Sequence, residues 1–446
     1  MTSVVLRKPH VRNILALSSV TLAMLVLPFA FIDEKAARVI FYWCGYCSVA
    51  GTLYEVCMRK LKLCRPPMAL SFLALGMVYA GWSVLASFHD GQREVLLITA
   101  GKRMVLAFFI MSYILHVYRE NLYSRALLAR LAWCSVIAGF TVATVYGIVQ
   151  GAMTHERIVL GINRATLTAY GYSAVSLALA TALLQLRSHR LRNVLFVLTA
   201  ALSLYVVCLT ETRSAMVIHT LLTVVLALRF FPVTRNPLAL ALVALAMAVG
   251  LSANFSVIES RAALTMSEYH SYQNNDDHTS LGSRFTMWKT GLLAFEAHPL
   301  GQTQQDRNAW IKAWLDAHGN PDSFALVYLD VHLHNEFIQY ASVFGVAGVL
   351  ILLCFYWSAI VTSARRWGVF NPVTAASLAF MLYGATDVLL TCIELIVIFS
   401  ISMTLMTLMT DFSQSGVARL RWGQSASYRT GLTVPVQQPG EAGGKP

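Results

Sequence analysis

The stretch FIQYASVFGVAGVLILLCFYWSAIVTS, residues 337–363, carries no charged side chain over its whole length. A helix needs about 20 apolar residues to cross roughly 30 Å of hydrocarbon, so this stretch predicts a membrane-spanning helix. The composition agrees, because 57% of the 446 residues are hydrophobic and only 13% are charged, against about 25% in soluble domains. These values exclude an ordinary soluble enzyme and a disordered chain, and we predict an all-α polytopic membrane protein.

Apolar stretches of similar character recur along the chain, and we predict about twelve transmembrane helices. The eleventh stretch is short, so the last two can form one tight hairpin. The predicted spans are residues 14–31, 39–58, 68–88, 96–117, 131–149, 166–186, 194–210, 214–228, 237–251, 337–363, 373–386 and 389–409.

The charges predict the orientation of these helices. The net charge is +12, from 34 basic and 22 acidic residues, which in a soluble domain would suggest nucleic acid. Sorted between alternate loops, lysine and arginine concentrate on the side of the N-terminus and most acidic residues fall on the other. By the positive-inside rule we expect an inner-membrane protein with both termini cytoplasmic and no nucleic-acid partner.

The spans divide the chain into four parts. Residues 1–251 hold helices one to nine, and residues 335–412 hold the last three. Between them lies a long periplasmic segment, residues 252–334. The tail, residues 413–446, is rich in Gly, Pro, Ser and Gln, and we predict that it is disordered and cytoplasmic.

Two amphipathic helices are predicted within the periplasmic segment, because apolar residues recur there at helical spacing. Such helices can lie on the membrane surface or over a cavity mouth. The first set is Leu281, Phe285, Trp288, Leu292 and Phe295, and the second is Trp310, Ile311, Trp314 and Leu315.

The eight cysteines indicate no disulfide framework, since none lies in the periplasmic segment. Cys44 and Cys47 have the spacing of a redox motif, but they lie inside the second helix with no neighbouring histidine. We therefore expect no cofactor.

Polar groups at membrane depth are by default functional candidates, and here they gather at the outer helix ends. Two arginines, a Lys-Arg pair and a histidine at one aqueous mouth suit an anionic, phosphate-bearing ligand, because guanidinium groups bind phosphate oxygens in pairs. A histidine can deprotonate an attacking hydroxyl near neutral pH. The candidates are Lys102, Arg103, Glu211, Arg213, Arg284, His332, His334, Asp387 and Glu394.

Purely structural interpretations of these residues remain open. Arg213 can pair with Glu211 at a helix end, and Lys102 and Arg103 can extend to the interface. His332 is the better candidate for a structural role within the histidine pair, and we expect only one of the two to act as a base.

At this point the residues resemble those of a family, the bacterial O-antigen ligases, within a superfamily that includes O-antigen polymerases and protein O-oligosaccharyltransferases. The resemblance lies in the architecture, in Arg213, in the Arg-x-x-x-Trp of Arg284 and Trp288, and in His-Pro-Leu-Gly at 298–301. Its most specific element is the run His-Asn-Glu-Phe at 334–337.

The resemblance implies a GT-C-like membrane glycosyltransferase acting at the periplasmic face. Its donor would be O-antigen on undecaprenyl pyrophosphate, its acceptor a sugar hydroxyl of lipid A-core, and both would diffuse within the membrane lipids. A single displacement with His334 as the base would invert the linkage. The chain contains no Asp-x-Asp, which agrees with arginines replacing a metal.

The resemblance also assigns roles to the candidate residues. His334 is expected to be the general base, with Arg213 and Arg284 on the pyrophosphate. The other residues are expected to help bind substrate, and they are Lys102, Arg103, Glu211, Trp288, Asn335 and Asp387.

Three alternatives stay open. The chain can be a polymerase or a protein-glycosylating relative, since the acceptor surface has no readable code. A metal-dependent variant would use Asp33 and Glu34. A transporter or flippase for a lipid-linked glycan is disfavoured, because transporters have internal repeats and broken helices near the midplane, and no repeat is visible here.

Overall fold

The computed structural model describes residues 11–58, 64–90, 94–154, 156–231, 237–252 and 254–429, and these ranges contain helices and no strand. The predicted all-α class is confirmed. In chain order the α-helices of these ranges are α1 (Val11–Ala30), α2 (Glu34–Leu53), α3 (Pro67–Asp90), α4 (Val95–Arg119), α5 (Arg125–Thr154), α6 (Ala165–Leu183), α7 (His189–Leu209), α8 (Arg213–Phe230), α9 (Pro237–Ser252), α10 (Phe255–Gln273), α11 (Ser280–Ala297), α12 (Gln304–Ala317), α13 (Glu336–Trp367), α14 (Pro372–Gly384) and α15 (Ile393–Arg429).

Each of the twelve predicted spans coincides with one helix, but not all twelve are long and apolar enough to cross a membrane. Among the described helices nine meet that criterion, and ten do so if α9 and α10, bent by 71° at their junction, form one span. Helix α2 carries charged residues in its first turns, and α14 has only 13 residues. The chain is therefore a polytopic membrane protein with fewer full-length spans than the hydropathy pattern suggested.

Helices α6 and α15 form the centre of the bundle. Within the most apolar 18-residue stretch of each helix, 94% of the residues of α6 and 89% of those of α15 are buried. The corresponding share for α8 is 28%. Helix α6 packs against α7, α8, α14 and α15, and α13 packs against α3, α11 and α14. With no water in the hydrocarbon, every backbone polar group of such a bundle must find a partner within the protein.

Helix α13 is interrupted at Gly345. A loop from the segment of residues 252–334, called the outer segment below, fills the break. Gly345 has φ 63° and ψ −154°, a conformation that only glycine adopts easily. The backbone of residues 298–302 lies against it: the Val346 N–H donates to Pro299 O (2.9 Å), and the Gln302 N–H donates to Val343 O (2.8 Å). These bonds satisfy groups that the interrupted helix leaves unpaired.

The outer segment contains the two predicted helices, α11 and α12, and also α10, which we did not predict. The buried face of α11 differs from the predicted apolar stripe: Met287, Thr290 and Ala294 are buried, whereas Leu292 is 47% exposed. Ile311 and Leu315 of α12 are buried as expected and join Met287 in a small separate core.

The other segment boundaries remain predictions. Helix α15 continues to Arg429, past residue 413 where we placed the start of the tail, and residues 430–446 lie outside the described residues.

Candidate active site

His334 and Asp387 are brought together by the start of α13 and the turn between α14 and α15. The Nδ1 atom of His334 lies 3.1 Å from Oδ1 of Asp387, and Nε2 of His332 lies 3.7 Å from the same oxygen. The His332 and His334 ring centroids are 4.3 Å apart. The rings of both histidines therefore face the same carboxylate oxygen. The spacing of the residues in the sequence did not predict this.

The backbone at His334 is held in an uncommon conformation. Its φ is 50°, in the left-handed region that side chains other than glycine seldom adopt. The Trp288 indole N–H donates to the carbonyl of His334 (3.2 Å). Such a conformation persists when its surroundings impose it, and here it directs the imidazole at Asp387.

Asn335 fixes the same segment from the other side. Its side-chain oxygen caps α13 by accepting the Ile338 N–H (3.1 Å), while its amide donates to Ala385 O (2.8 Å). The polar groups of Asn335 and Trp288, predicted to bind substrate, are thus engaged in positioning His334.

Glu336, the first residue of α13, connects that helix to the turn between α14 and α15. It is fully buried, accepting the backbone N–H groups of Leu389 (3.1 Å) and Leu390 (2.6 Å) and the hydroxyl of Tyr356 (2.7 Å). A carboxylate that accepts three hydrogen bonds stabilises the turn that carries Asp387.

The hydrogen bonds assign different tautomers to the two histidines. The His334 backbone N–H donates to Nδ1 of His332 (3.2 Å), so a neutral His332 carries its proton on Nε2, facing Asp387. The Nδ1 of His334 faces Asp387 and carries the proton there, which leaves its Nε2 as an acceptor with no hydrogen-bond partner among the described residues. These tautomers follow from the network. Only His334 has a ring nitrogen available to a substrate.

The electrostatics of the cluster agree with that assignment. Burial lowers the pKa of His332 to about 4, although Asp387 opposes the shift, so His332 is neutral at physiological pH. Burial alone would raise the pKa of Asp387, but the hydrogen bond with His334 and the nearby charges of His332 and Arg284 outweigh it and lower the pKa below its usual value. An ionised Asp387 can stabilise a positive charge that develops on His334.

Arg284 lies in the second turn of α11 beside this cluster. It is half-buried and forms no hydrogen bond or ion pair with any other described residue. Its charge helps lower the pKa values of Asp387 and His332. A half-buried guanidinium without a protein partner is suited to an anionic ligand.

Arg213 begins α8 and is already paired. Its guanidinium forms two hydrogen bonds with the carboxylate of Glu268 on α10, at 2.7 and 3.0 Å. The open alternative, a pair with Glu211, is wrong, since Glu211 pairs instead with Arg261 of α10. Helix α10, absent from our prediction, thus supplies the partners of both residues.

Comparison with known proteins identifies this region. Residues 198–353 match the model of a family described as O-antigen ligase. This match makes residues 198–353 similar to the O-antigen ligases. The chain is also 28% identical over 207 residues to a protein named O-antigen ligase from Escherichia coli (strain K12). That similarity covers 46% of this chain and 49% of the relative, so the chain spans about half the length of the curated relative that it matches. The resemblance is confirmed at the level of the family.

The matched O-antigen ligase segment contains Arg213, Arg284 and His334, whereas Asp387 lies outside it. The fold therefore completes the family segment with a carboxylate from a later part of the chain.

Lys102 and Arg103 follow one another in α4 and point to different faces of the helix. Lys102 is exposed, and Arg103 is 2% exposed with its guanidinium 5.4 Å from the centre of the Tyr42 ring. No hydrogen bond joins either residue to His334 or Asp387 among the described residues. Their predicted part in substrate binding stays a prediction.

Two further arginines approach the site and were missed. Arg157 donates to Thr210 O (3.0 Å), and burial lowers its pKa, with Arg261, Arg213 and Arg284 adding to the shift and Glu211 opposing it. Arg164 precedes α6, and its charge acts on His332. In the sequence both are ordinary loop charges, and only the fold brings them to the arginines of α8 and α11.

Proposed function

We propose that this protein is an O-antigen ligase that transfers O-antigen polysaccharide from undecaprenyl pyrophosphate to a sugar hydroxyl of lipid A-core. The observation that supports this most strongly is the His334–Asp387 pair, with one ring nitrogen available, beside Arg284, which has no partner among the described residues. The family match supports the reaction class, and the donor, acceptor and mechanism are our proposal.

The transfer begins with proton removal. The acceptor hydroxyl gives its proton to Nε2 of His334 while its oxygen attacks the anomeric carbon of the donor sugar. Asp387, hydrogen-bonded to Nδ1, keeps the ring oriented and stabilises the imidazolium that forms, as a carboxylate does for other catalytic histidines.

The bond from the anomeric carbon to the pyrophosphate oxygen breaks as the new glycosidic bond forms. Undecaprenyl pyrophosphate leaves with the bonding electrons, and Arg284 stabilises its negative charge together with Arg213. One displacement at the anomeric carbon inverts its configuration. The proton held by His334 then passes to solvent, which restores the base.

A metal-dependent mechanism is the second candidate, because His332, His334 and Asp387 offer ligand atoms within 4.8 Å of one another. Two histidines and a carboxylate can bind zinc or a similar ion. Against this, Nδ1 of His332 already accepts a backbone N–H, and a neutral His332 then turns an N–H toward the carboxylate. We therefore favour the metal-free base.

The Asp33–Glu34 alternative has weaker support. The side chain of Asp33 caps α2, accepting the backbone N–H groups of Lys35 (2.8 Å) and Ala36 (3.3 Å). A carboxylate occupied in this way is an ordinary helix cap.

A cell-free assay tests the function. Purified protein receives lipid-linked O-antigen together with lipid A-core, a second lipid-linked glycan, or an acceptor protein in separate reactions, with the His334→Ala variant as the control. Of the three acceptors, we expect only lipid A-core to give a glycosidic product. A product with another acceptor would assign a polymerase or protein-glycosylating activity, and no product with any acceptor would contradict the ligase.

The orientation needs its own test. We propose that both termini are cytoplasmic and that residues 252–334 face the periplasm of the inner membrane. A cysteine placed at Asn274, in a variant without the native cysteines, should react with an impermeant reagent before the inner membrane is opened. Reaction only afterwards would reverse the topology.

A further inference from the structure

A concave site lies apart from the histidine cluster, and neither His334 nor Asp387 lines it. It is a groove of about 730 Å³ between the end of α3 and helix α12. Two tryptophans, Trp82 and Trp310, face it, together with His298, Gln302 and Asp306. The volume is in the range of pockets that hold small organic ligands.

Two buried polar atoms at the groove have no hydrogen-bond partner in the part of the chain that the structure describes. They are Nε1 of Trp82, a donor, and Oε1 of Gln302, an acceptor. The orientation of the Gln302 amide is set, because its nitrogen donates to Ser342 O (3.2 Å) and Ala294 O (3.3 Å). Gln302 is only 9% exposed. Leaving such groups unpaired is costly, which indicates a ligand that offers both donors and acceptors.

The described lining of the groove is mostly neutral. Among the described residues no lysine or arginine lines it. The nearest arginine in sequence, Arg307, is fully buried and turned away, donating to Gln339 Oε1 (2.8 Å) and Leu329 O (2.8 Å). The neutral polar side chains of Gln302 and Thr303 in the lining suit a ligand rich in hydroxyl groups.

We propose that this groove binds the saccharide chain of one of the two membrane-anchored substrates. A pyranose ring has a face of C–H groups, which packs on an indole, and a rim of hydroxyls. Trp82 Nε1 and Gln302 Oε1 are covered by protein, so the hydroxyls pair with them after a small shift of the covering side chains. Half-exposed tryptophans supply large apolar contact areas of this kind. This inference rests on the proposed function for the identity of the substrate.

The groove is rigidly connected to the catalytic segment. Gln339 Oε1 accepts hydrogen bonds from Arg307 of α12 and from the backbone N–H of Leu333 (3.1 Å), next to His334. A saccharide held against α12 is thereby positioned relative to the reacting group.

Saturation-transfer NMR on the full-length protein in detergent tests the proposal without requiring turnover. Two probes are released from lipopolysaccharide by mild acid, the lipid-free core oligosaccharide and the lipid-free O-antigen chain. We expect one of them to bind with a Kd of about 10 mM or tighter, and its identity assigns the groove to acceptor or donor. Trp310→Ala should weaken that binding by at least about fivefold. Trp82→Phe, which keeps an aromatic ring and removes the N–H, should weaken it less.

Trp314→Ala is the matched control. Trp314 lies one turn further along α12, where it stacks on His318 with centroids 3.9 Å apart, and it does not line the groove. Binding of neither probe to the wild type, unchanged binding in Trp310→Ala, or an equal loss in Trp314→Ala would overturn the proposal.

A kinetic measurement separates this inference from the proposed function. Trp310→Ala should raise KM for the substrate that carries the bound saccharide and leave kcat unchanged. A wild type that binds saccharide but forms no glycosidic product would contradict the ligase activity and leave the groove as a saccharide site.

Discussion

The side chains of His334 and Asp387 form a 3.1 Å hydrogen bond across 53 positions of sequence. His334 approaches from the outer segment and Asp387 from the turn between two helices of the bundle. The pair therefore forms only when that segment is seated on the membrane domain. His334 keeps 19% of its side chain exposed, whereas Asp387 keeps 7%. The proposed base is thus the more accessible of the two side chains, and the carboxylate lies behind it.

Removing the base should abolish transfer. We expect His334→Ala to lose all measurable activity while still binding the lipid-linked donor, because its role is proton transfer. Asp387→Asn should lower kcat by at least about 100-fold, since the amide stabilises neither the tautomer nor the imidazolium. Transfer rates and donor binding by purified variants are the measurements.

His332→Asn is the matched control for that prediction. Its side-chain oxygen can still accept the His334 backbone N–H, so we expect activity within about tenfold of the wild type. A dead His332→Asn, or loss of donor binding in His334→Ala as complete as the loss of turnover, would contradict the general-base role.

Alanine variants of Arg213 and Arg284 should lose activity to a similar extent but differ in thermal stability. Arg213→Ala and Arg284→Ala are each expected to lower kcat/KM by about 10²–10³, the usual effect of removing one charged contact to a developing anion. Lysine at either position should recover only part, because it cannot form the paired hydrogen bonds. Only Arg213→Ala should also lower the thermal midpoint, since it leaves the buried carboxylate of Glu268 unpaired.

Lys312→Ala, an exposed residue of α12, is the control for both arginines and should behave as the wild type. Full activity in either alanine variant at normal protein levels would limit that arginine to a structural role.

Chelation distinguishes the metal-free base from the metal alternatives. We expect transfer to persist in excess EDTA after prolonged dialysis, because arginines and a histidine supply the charge and the base. Loss of activity that zinc, manganese or magnesium restores would contradict this. Repeating the assay with Asp33→Asn and His332→Asn would then show which carboxylate cluster holds the ion.

The buried His332 should make stability fall in mild acid. Its pKa in the folded protein is about 4, below the reference value near 6.5, so folding favours the neutral ring. The resulting stability is complete above about pH 6.5 and is lost as the pH falls toward 4, by an amount on the order of 2 kcal/mol at pH 5. The depressed pKa of Asp387 acts only at lower pH.

The thermal midpoint measured from pH 7 to pH 5 checks this. It should fall more steeply for the wild type than for His332→Asn, which has no titrating ring at this position. Parallel curves would mean that the pKa of His332 is the same in the folded and unfolded protein, which would contradict the shift.

The break in α13 predicts an unequal response of two glycines. Gly345 and Gly368 both have positive φ, so alanine strains the backbone at either by roughly 1–3 kcal/mol. A Cβ at Gly345 would also lie 2.3 Å from Pro299 O, whereas one at Gly368 meets nothing within 4 Å. Gly345→Ala should therefore lower the thermal midpoint clearly more than Gly368→Ala, and equal midpoints would contradict the docking of residues 298–302.

Hydropathy predicted the positions of the membrane helices well, because about 20 apolar residues leave a chain in hydrocarbon few alternatives to a helix. It did not predict α10. That helix combines apolar residues such as Phe255 and Leu264 with Glu268 and other polar residues. In the sequence, its polar part resembles a loop.

The candidate site was only partly predictable for a different reason. His334, Arg284 and Asp387 could be chosen because charged groups near hydrocarbon are rare and costly. Which of them meet depends on the packing of α11 and α13 against the turn that carries Asp387, and no spacing encodes that. The same limit explains why Glu268 was not identified as the partner of Arg213.

The docking of residues 298–302 on Gly345 has a consequence for the chain that follows. The segment from Gln302 to Asn335 leaves α13 at its break and returns to the same helix at its first turn. Both ends of the segment from Gln302 to Asn335 are therefore held by the part of α13 that precedes Gly345. Since the entropy of closing a loop grows only with the logarithm of its length, residues can be inserted or removed near the exposed Gly319 without displacing the imidazole of His334. The segment that covers the histidine cluster can thus vary in size while the side chains of His334 and Asp387 keep their places.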